Sequence, residues 1–234
     1  VCLLVLSFPG FNYSMCAWVG LVPLLFAVDN ERTRSAFLTS FLSGVLFFLG
    51  TIYWLIHVTL PGMLVVVAYL AVYFGLFGMF ASAALSIDRK GKGRSNLQLC
   101  IPLFSIPAFW VILEWIRAHA LTGFGWVLIG HSQAPNLTII QIADITGAYG
   151  VSFLVVLVNV AIFLTVRGMR RKEYKIACLA VALTLVFLVT AYGIVKMKKV
   201  FVGEKVKVAV VQGNIPQTKK WDQAYRKEIV RKYE

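Results

Sequence analysis

The sequence predicts a polytopic α-helical membrane bundle of about seven spans, the first incomplete, followed by the first strand and helix of an α/β domain. Three observations predict it. Of the 234 residues, 59% are hydrophobic and only 14% charged, with a mean hydropathy of +0.80; a soluble domain is about 45–50% apolar and about 25% charged. Uncharged runs of spanning length follow one another along most of the chain. Beyond residue 200 the pattern turns charged and alternating. Residues 1–200 therefore read as a transmembrane helical domain and residues 201–234 as the start of a second, truncated one. The composition excludes an ordinary soluble globule, a disordered chain and a fibrous protein.

At roughly 20 residues per span, the apolar content accommodates about six or seven helices. Residues 1–8 are the stub of one, and residues 13–28 form a short run carrying Pro23. Residues 35–56 and 62–87 hold no charge. Residues 97–113 contain Pro102 and Pro107, which predict a kink. Residues 139–166 hold one acid, Asp144, and residues 176–195 are clean. Successive long apolar runs argue against a cleaved signal peptide. The chain opens at Val1 inside an apolar run and closes at Glu234 inside a charged helical pattern, so a fragment of a longer protein is expected.

Charge alternates between the connections. Arg32 and Arg34 follow the second run; Arg89, Lys90, Lys92 and Arg94 follow the fourth; Arg167, Arg170, Arg171, Lys172 and Lys175 follow the sixth. The connections near Pro61 and from 118 to 138 carry no Lys or Arg. By the positive-inside rule the three basic connections are cytoplasmic, which sends the chain after Val195 to the outer face. That tail is basic as well, with 11 Lys/Arg against 4 Asp/Glu over residues 196–234. Long translocated segments cross largely regardless of charge. The net charge of +13 is spread over connections without a recognition motif, so no nucleic-acid partner is expected; attraction to anionic lipid accounts for it.

Within the tail, residues 206–211 (VKVAVV) read as a strand entering a sheet, and residues 212–216 (QGNIP) as the turn after it. Asp222 can cap a helix that sets Tyr225, Ile229 and Tyr233 on one face. About 30 residues cannot bury a core alone, so the remainder of such a domain must come from downstream or from a partner.

Residues 114–135 carry the most chemistry. Glu114 and Arg117 lie i, i+3 on one helix face, where an ion pair or a contact with a substrate headgroup is expected. The following stretch is apolar but dotted with Gly123, Gly125 and Gly130, which predicts a re-entrant or interfacial segment at the outer side. Trp115 and Trp126 would sit at headgroup level. A Ser132–His131 nucleophile pair is conceivable, but adjacent residues rarely have the geometry, and hydrogen bonding in a turn is the simpler expectation. Asp144 is expected to cap a helix start, and His57 and His119 are assigned no role. Cys2, Cys16, Cys100 and Cys178 are scattered in apolar surroundings and the three histidines do not cluster, so no disulfide framework, metal or cofactor is expected.

Several of these stretches together resemble bacterial apolipoprotein N-acyltransferase. They are the Trp-x-x-x-x-Pro pattern from Trp18 to Pro23, WVILEWIR at 110–117, LTGFGW at 121–126, GHSQ at 130–133 and VAVVQGNIPQTKKWD at 208–222. Gly125 departs from the proline expected in many members. The resemblance implies a multi-pass enzyme of the bacterial cytoplasmic (inner) membrane with an αββα nitrilase-like domain on the extracytoplasmic (periplasmic) side. Its implied partners are the bilayer, a phospholipid acyl donor and an apolipoprotein acceptor. It implies transfer of a fatty acyl chain to the α-amine of a diacylglyceryl-cysteine through a Cys thioester, with a Glu base and a stabilising Lys. None of the four cysteines matches that nucleophile and Glu234 does not match the base, so these residues alone are expected to be inactive. Trp221 matches a functionally important tryptophan of the family; with Trp126, Glu114 and Arg117 it forms the expected substrate-binding set. The alternatives are a membrane transporter, a non-catalytic scaffold, and a nitrilase relative acting on another amide or ester.

Overall fold

The computed structural model describes residues 1–90, 96–170, 176–198, 206–220 and 222–233. The helices in chain order are α1 (Cys2–Leu6), α2 (Val22–Val28), α3 (Thr33–Thr51), α4 (Leu60–Lys90), α5 (Asn96–His119), α6 (Leu137–Ile140), α7 (Ala143–Arg170), α8 (Ile176–Met197), α9 (Gln217–Lys220) and α10 (Arg226–Arg231). Short 3-10 turns occupy Ser14–Trp18, Tyr53–His57, Ile129–Gln133 and Gln223–Tyr225.

Among the described residues five helices, α3, α4, α5, α7 and α8, are long and apolar enough to cross a membrane. The other two of the about seven expected runs, both at the N-terminus, do not form helices of spanning length. Residues 1–8 form only the five-residue α1. Residues 13–28 split into a 3-10 turn and the seven-residue α2. Pro23 explains the split: it has no N–H to give a preceding turn, so it suits the first turn of a helix and not its interior. The gap between turn and helix leaves peptide groups without helical partners, and apolar surroundings offer none. Asn159 of α7 supplies them. Its Oδ1 accepts from the Leu21 amide at 2.8 Å, and its Nδ2 donates to the carbonyls of Ala17 at 2.8 Å and Val155 at 2.9 Å.

The prolines of α5 do not end it; the helix is continuous through Pro102 and Pro107. The backbone break falls in α7, where Gly147 adopts φ 64°, ψ −173°. Helix α7 is the centre of the bundle, with 72% of its spanning window buried, against 17% for the peripheral α8. Helices α3 and α4 approach closely because glycine removes side chains at the contact. A Cβ on Gly44 would lie 2.7 Å from Phe74 Cβ, and one on Gly78 would overlap Ser40.

The bundle has two chemically distinct ends. At one, Arg167 Nε lies 3.3 Å from Asp29 Oδ2, its Nη2 donates to the Leu85 carbonyl at 3.4 Å, and Ser82 donates to the Glu31 carbonyl at 2.9 Å. These contacts tie together the ends of α2, α4 and α7, the helix ends from which the three basic connections leave. Arg167 is not a loop charge; it is buried inside α7. At the opposite end, Tyr192 donates to both carboxylate oxygens of Asp144 (3.0 and 2.9 Å) and Lys196 pairs with it. That joins the start of α7 to the end of α8.

The tail differs from its expected form. Residues 206–211 run without a strand partner, and no strand occurs among the described residues. A lone segment has no ladder to join, and Val206, Val208 and Val210 are all exposed. The Asp222 cap is present: its Oδ1 accepts from the Ala224 amide at 2.9 Å, opening a 3-10 turn that leads into α10.

Candidate functional site

The most polar cluster within the bundle lies at the end opposite the basic connections. Helix α5 brings Glu114 and Arg117 to one buried face, at 4% and 3% exposure. Their hydrogen bonds run to other groups rather than to each other. Arg117 Nη1 donates to the Trp126 carbonyl at 2.8 Å and Nη2 to the Val127 carbonyl at 3.3 Å. Glu114 Oε1 accepts from the Ile129 amide at 2.7 Å and from Trp110 Nε1 at 2.9 Å. A cation takes two carbonyls and an anion takes an amide, all within four consecutive residues. Together they clamp the segment that enters the 3-10 turn Ile129–Gln133.

The clamp holds an unfavourable backbone. Leu121, Gly123 and Val127 have φ of 57°, 75° and 57°, and a β-branched residue such as Val127 is a clear outlier there. Irregular backbone of this kind persists at membrane depth only under protein cover. Gln133 extends the cover: its Nε2 donates to the Ser14 carbonyl (3.0 Å) and its Oε1 accepts from Trp18 Nε1 (3.0 Å). Ser132 donates to the Ile129 carbonyl at 2.6 Å, inside its own turn, and the Gly130 amide donates to Ser152 Oγ of α7 at 2.9 Å. His131 is exposed, and partial burial together with the Arg117 charge holds its imidazole below the ordinary histidine range.

Beside the clamped segment lies a groove of about 310 Å³, lined by Phe8, Tyr53, Trp54, Trp126 and His131 among others. Trp126 is 56% exposed, and its ring sits 5.1 Å from Trp54 and 5.6 Å from Phe124 between centroids. On the inner side of the same segment, Phe48, Tyr73, Trp110, Glu114, Arg117 and Val127 line a second cleft. Arg117 lies 5.5 Å from the Phe48 ring centroid. The space enclosed there is about 20 Å³, room for one water molecule.

Of the expected substrate-binding set, Glu114, Arg117 and Trp126 come together on this segment. Trp221 lies outside the described residues. Trp54 and Asn159 add to the arrangement without having been singled out. A readable signal existed for Asn159: an amide in an otherwise apolar spanning run needs a partner. Trp54 had none beyond its place near a helix end.

Residues 2–161 match the apolipoprotein N-acyltransferase N-terminal domain. The chain belongs to this family. A protein of Geobacter metallireducens named apolipoprotein N-acyltransferase is 38% identical over 239 residues, covering 99% of this chain and 45% of its own length. Namesakes from Chlorobaculum tepidum (30% identical, 92% of this chain, 40% of theirs) and Photobacterium profundum (29%, 97% and 43%) agree. The chain thus spans under half the length of the curated relatives it matches. The match to the apolipoprotein N-acyltransferase domain includes the clamp, the Trp126 groove and Asn159. All three relatives carry the name apolipoprotein N-acyltransferase.

Proposed function

We propose that this chain is the membrane platform of an enzyme that moves a fatty acyl chain from a phospholipid to the α-amine of an apolipoprotein's diacylglyceryl-cysteine. The observation that carries the reading is the family match over residues 2–161. The chemistry belongs to an extracytoplasmic nitrilase-like domain that residues 206–211 open. There a cysteine thiolate attacks the ester carbonyl of the phospholipid, and the Glu base gives the abstracted thiol proton to the departing lysophospholipid oxygen. The lipoprotein amine then attacks the thioester; the C–S bond breaks, the thiolate is restored, and the amine's proton passes to the base. A Lys ammonium stabilises each tetrahedral oxyanion.

On this reading the platform keeps both substrates in the bilayer and presents them at the Trp126 end. Glu114 and Arg117 serve the site by fixing the wall that carries Trp126, and Trp126 and Trp54 contact the lipid. Trp221 lines the acyl entrance, where a tryptophan offers a large apolar face and one polar N–H. The bundle sits in the bacterial inner membrane with the Trp126 end periplasmic.

The test is complementation. The complete gene product should restore N-acylation in bacteria depleted of this activity, read by mass spectrometry of a lipoprotein's N-terminal peptide. Trp221→Ala should slow that acylation without lowering the amount of folded protein, and residues 1–234 alone should form no acyl-enzyme. A complete product that leaves the α-amine free refutes the proposal.

A further inference from the structure

The basic end of the bundle carries a second groove, of about 300 Å³, lined by Thr33, Arg34, Phe37, Leu38 and Met79. It lies on the flank of α3 and α4, at the opposite end from Trp126. We propose that it seats one anionic phospholipid, with the phosphate on Arg34 and an acyl chain along Phe37, Leu38 and Met79.

The order of groups along α3 matches an amphiphile. Arg34 and Leu38 are i, i+4, as are Thr33 and Phe37, so cation and hydroxyl lie one turn nearer the helix start than the apolar pair. One turn deeper is where the chain of a lipid begins when its phosphate is at the helix end. Leu38 is exposed and Phe37 and Met79 half-buried, so the apolar wall opens sideways towards lipid rather than into the core. Arg34 is exposed and makes no ion pair among the described residues. The neighbouring acid Asp29 is engaged with Arg167, and Arg32 offsets Glu31. A local excess of positive charge over an apolar slot complements an anionic headgroup with its chain. The first-turn amides of α3 meet no side-chain cap and add donors for the same phosphate.

Native mass spectrometry of the detergent-purified chain tests this, with phosphatidylglycerol and phosphatidylcholine offered at equal concentration. The unmodified chain should retain phosphatidylglycerol several-fold over phosphatidylcholine. Arg34→Gln should bring the two to parity. Met79→Trp keeps every charge but fills the slot, and should lower retention of phosphatidylglycerol several-fold. Leu38→Trp does the same from an exposed position and replaces Met79→Trp if that variant misfolds. Unchanged preference in Arg34→Gln overturns the proposal. So does loss in Arg34→Gln with wild-type retention in both tryptophan variants, because that pattern is diffuse surface attraction without a seat.

Discussion

Arg117 gains its importance from what its two N–H groups reach. It bridges the Trp126 and Val127 carbonyls, and the second of these belongs to a residue at φ 57°. Arg117→Ala strips both carbonyls of their donor and leaves Glu114 buried without the nearby cation. We expect a loss of about 2–4 kcal/mol in detergent unfolding titrations, with Arg117→Lys only partly rescuing because an ammonium lacks the planar fork. A loss no larger than for the exposed Trp115→Ala would contradict the clamp. His131 gives a pH dependence. Its folded imidazole takes up a proton only below the ordinary histidine range, whereas the unfolded side chain does so near about 6.5. As pH falls through that value the unfolded state binds more protons, so stability declines. His131→Asn should flatten the decline in melting temperature between about pH 7.5 and 5.5; an unchanged slope would exclude His131 as its source.

At the scale of elements, two glycines act by different means. Gly147 breaks α7 at φ 64° with no side chain nearer than Tyr149, whose Cδ2 would lie 3.9 Å from an added Cβ. Gly147→Ala therefore tests backbone conformation alone, and we expect a cost of about 1–3 kcal/mol in the same titrations. Gly193 has an ordinary helical backbone, but a Cβ there would overlap the Thr138 carbonyl. Gly193→Ala should separate α6 from α8 instead, which thiol cross-linking between the two helices would report. Equal tolerance of both substitutions would remove the break and the close approach as features of the native packing.

The whole molecule is organised by its two ends. Arg167 gathers Asp29 and the Leu85 carbonyl at the basic end, while Trp54, Trp126 and the Asp144–Lys196 pair occupy the other. An odd number of spans separates them, since five helices alternate between α3 and α8. If the positive-inside rule governs this chain, single cysteines in a cysteine-free background settle its direction. A cysteine at Arg32 should be shielded from a membrane-impermeant maleimide in intact cells, and one at Leu121 should label. The reverse pattern would invert the topology and put the Trp126 groove on the cytoplasmic side.

Much of this was readable from composition and order alone. Apolar runs without charge can only be buried in lipid or in a partner helix, so α3, α4, α5, α7 and α8 follow from the sequence pattern. The alternation of Arg and Lys between runs placed three connections at one end, and the helix ends of α2, α4 and α7 that lead into them are tied together. The Ser132 turn contact and the capping Asp222 were legible because their partners lie within a few residues, whereas Gln133 of the same turn reaches Ser14 and Trp18, far away in sequence. The count of spans was not. Whether residues 13–28 cross as one helix depends on Asn159, more than 130 residues away, supplying the peptide groups that Pro23 leaves open. The spacing of Glu114 and Arg117 pointed to each other, yet the loop from Trp126 to Ile129 competes for both with backbone dipoles at closer range. Periodicity and charge are local quantities and set which segments enter the membrane; the partners of a buried polar group are set by which distant segments pack against it, and that was decided only by the tertiary structure.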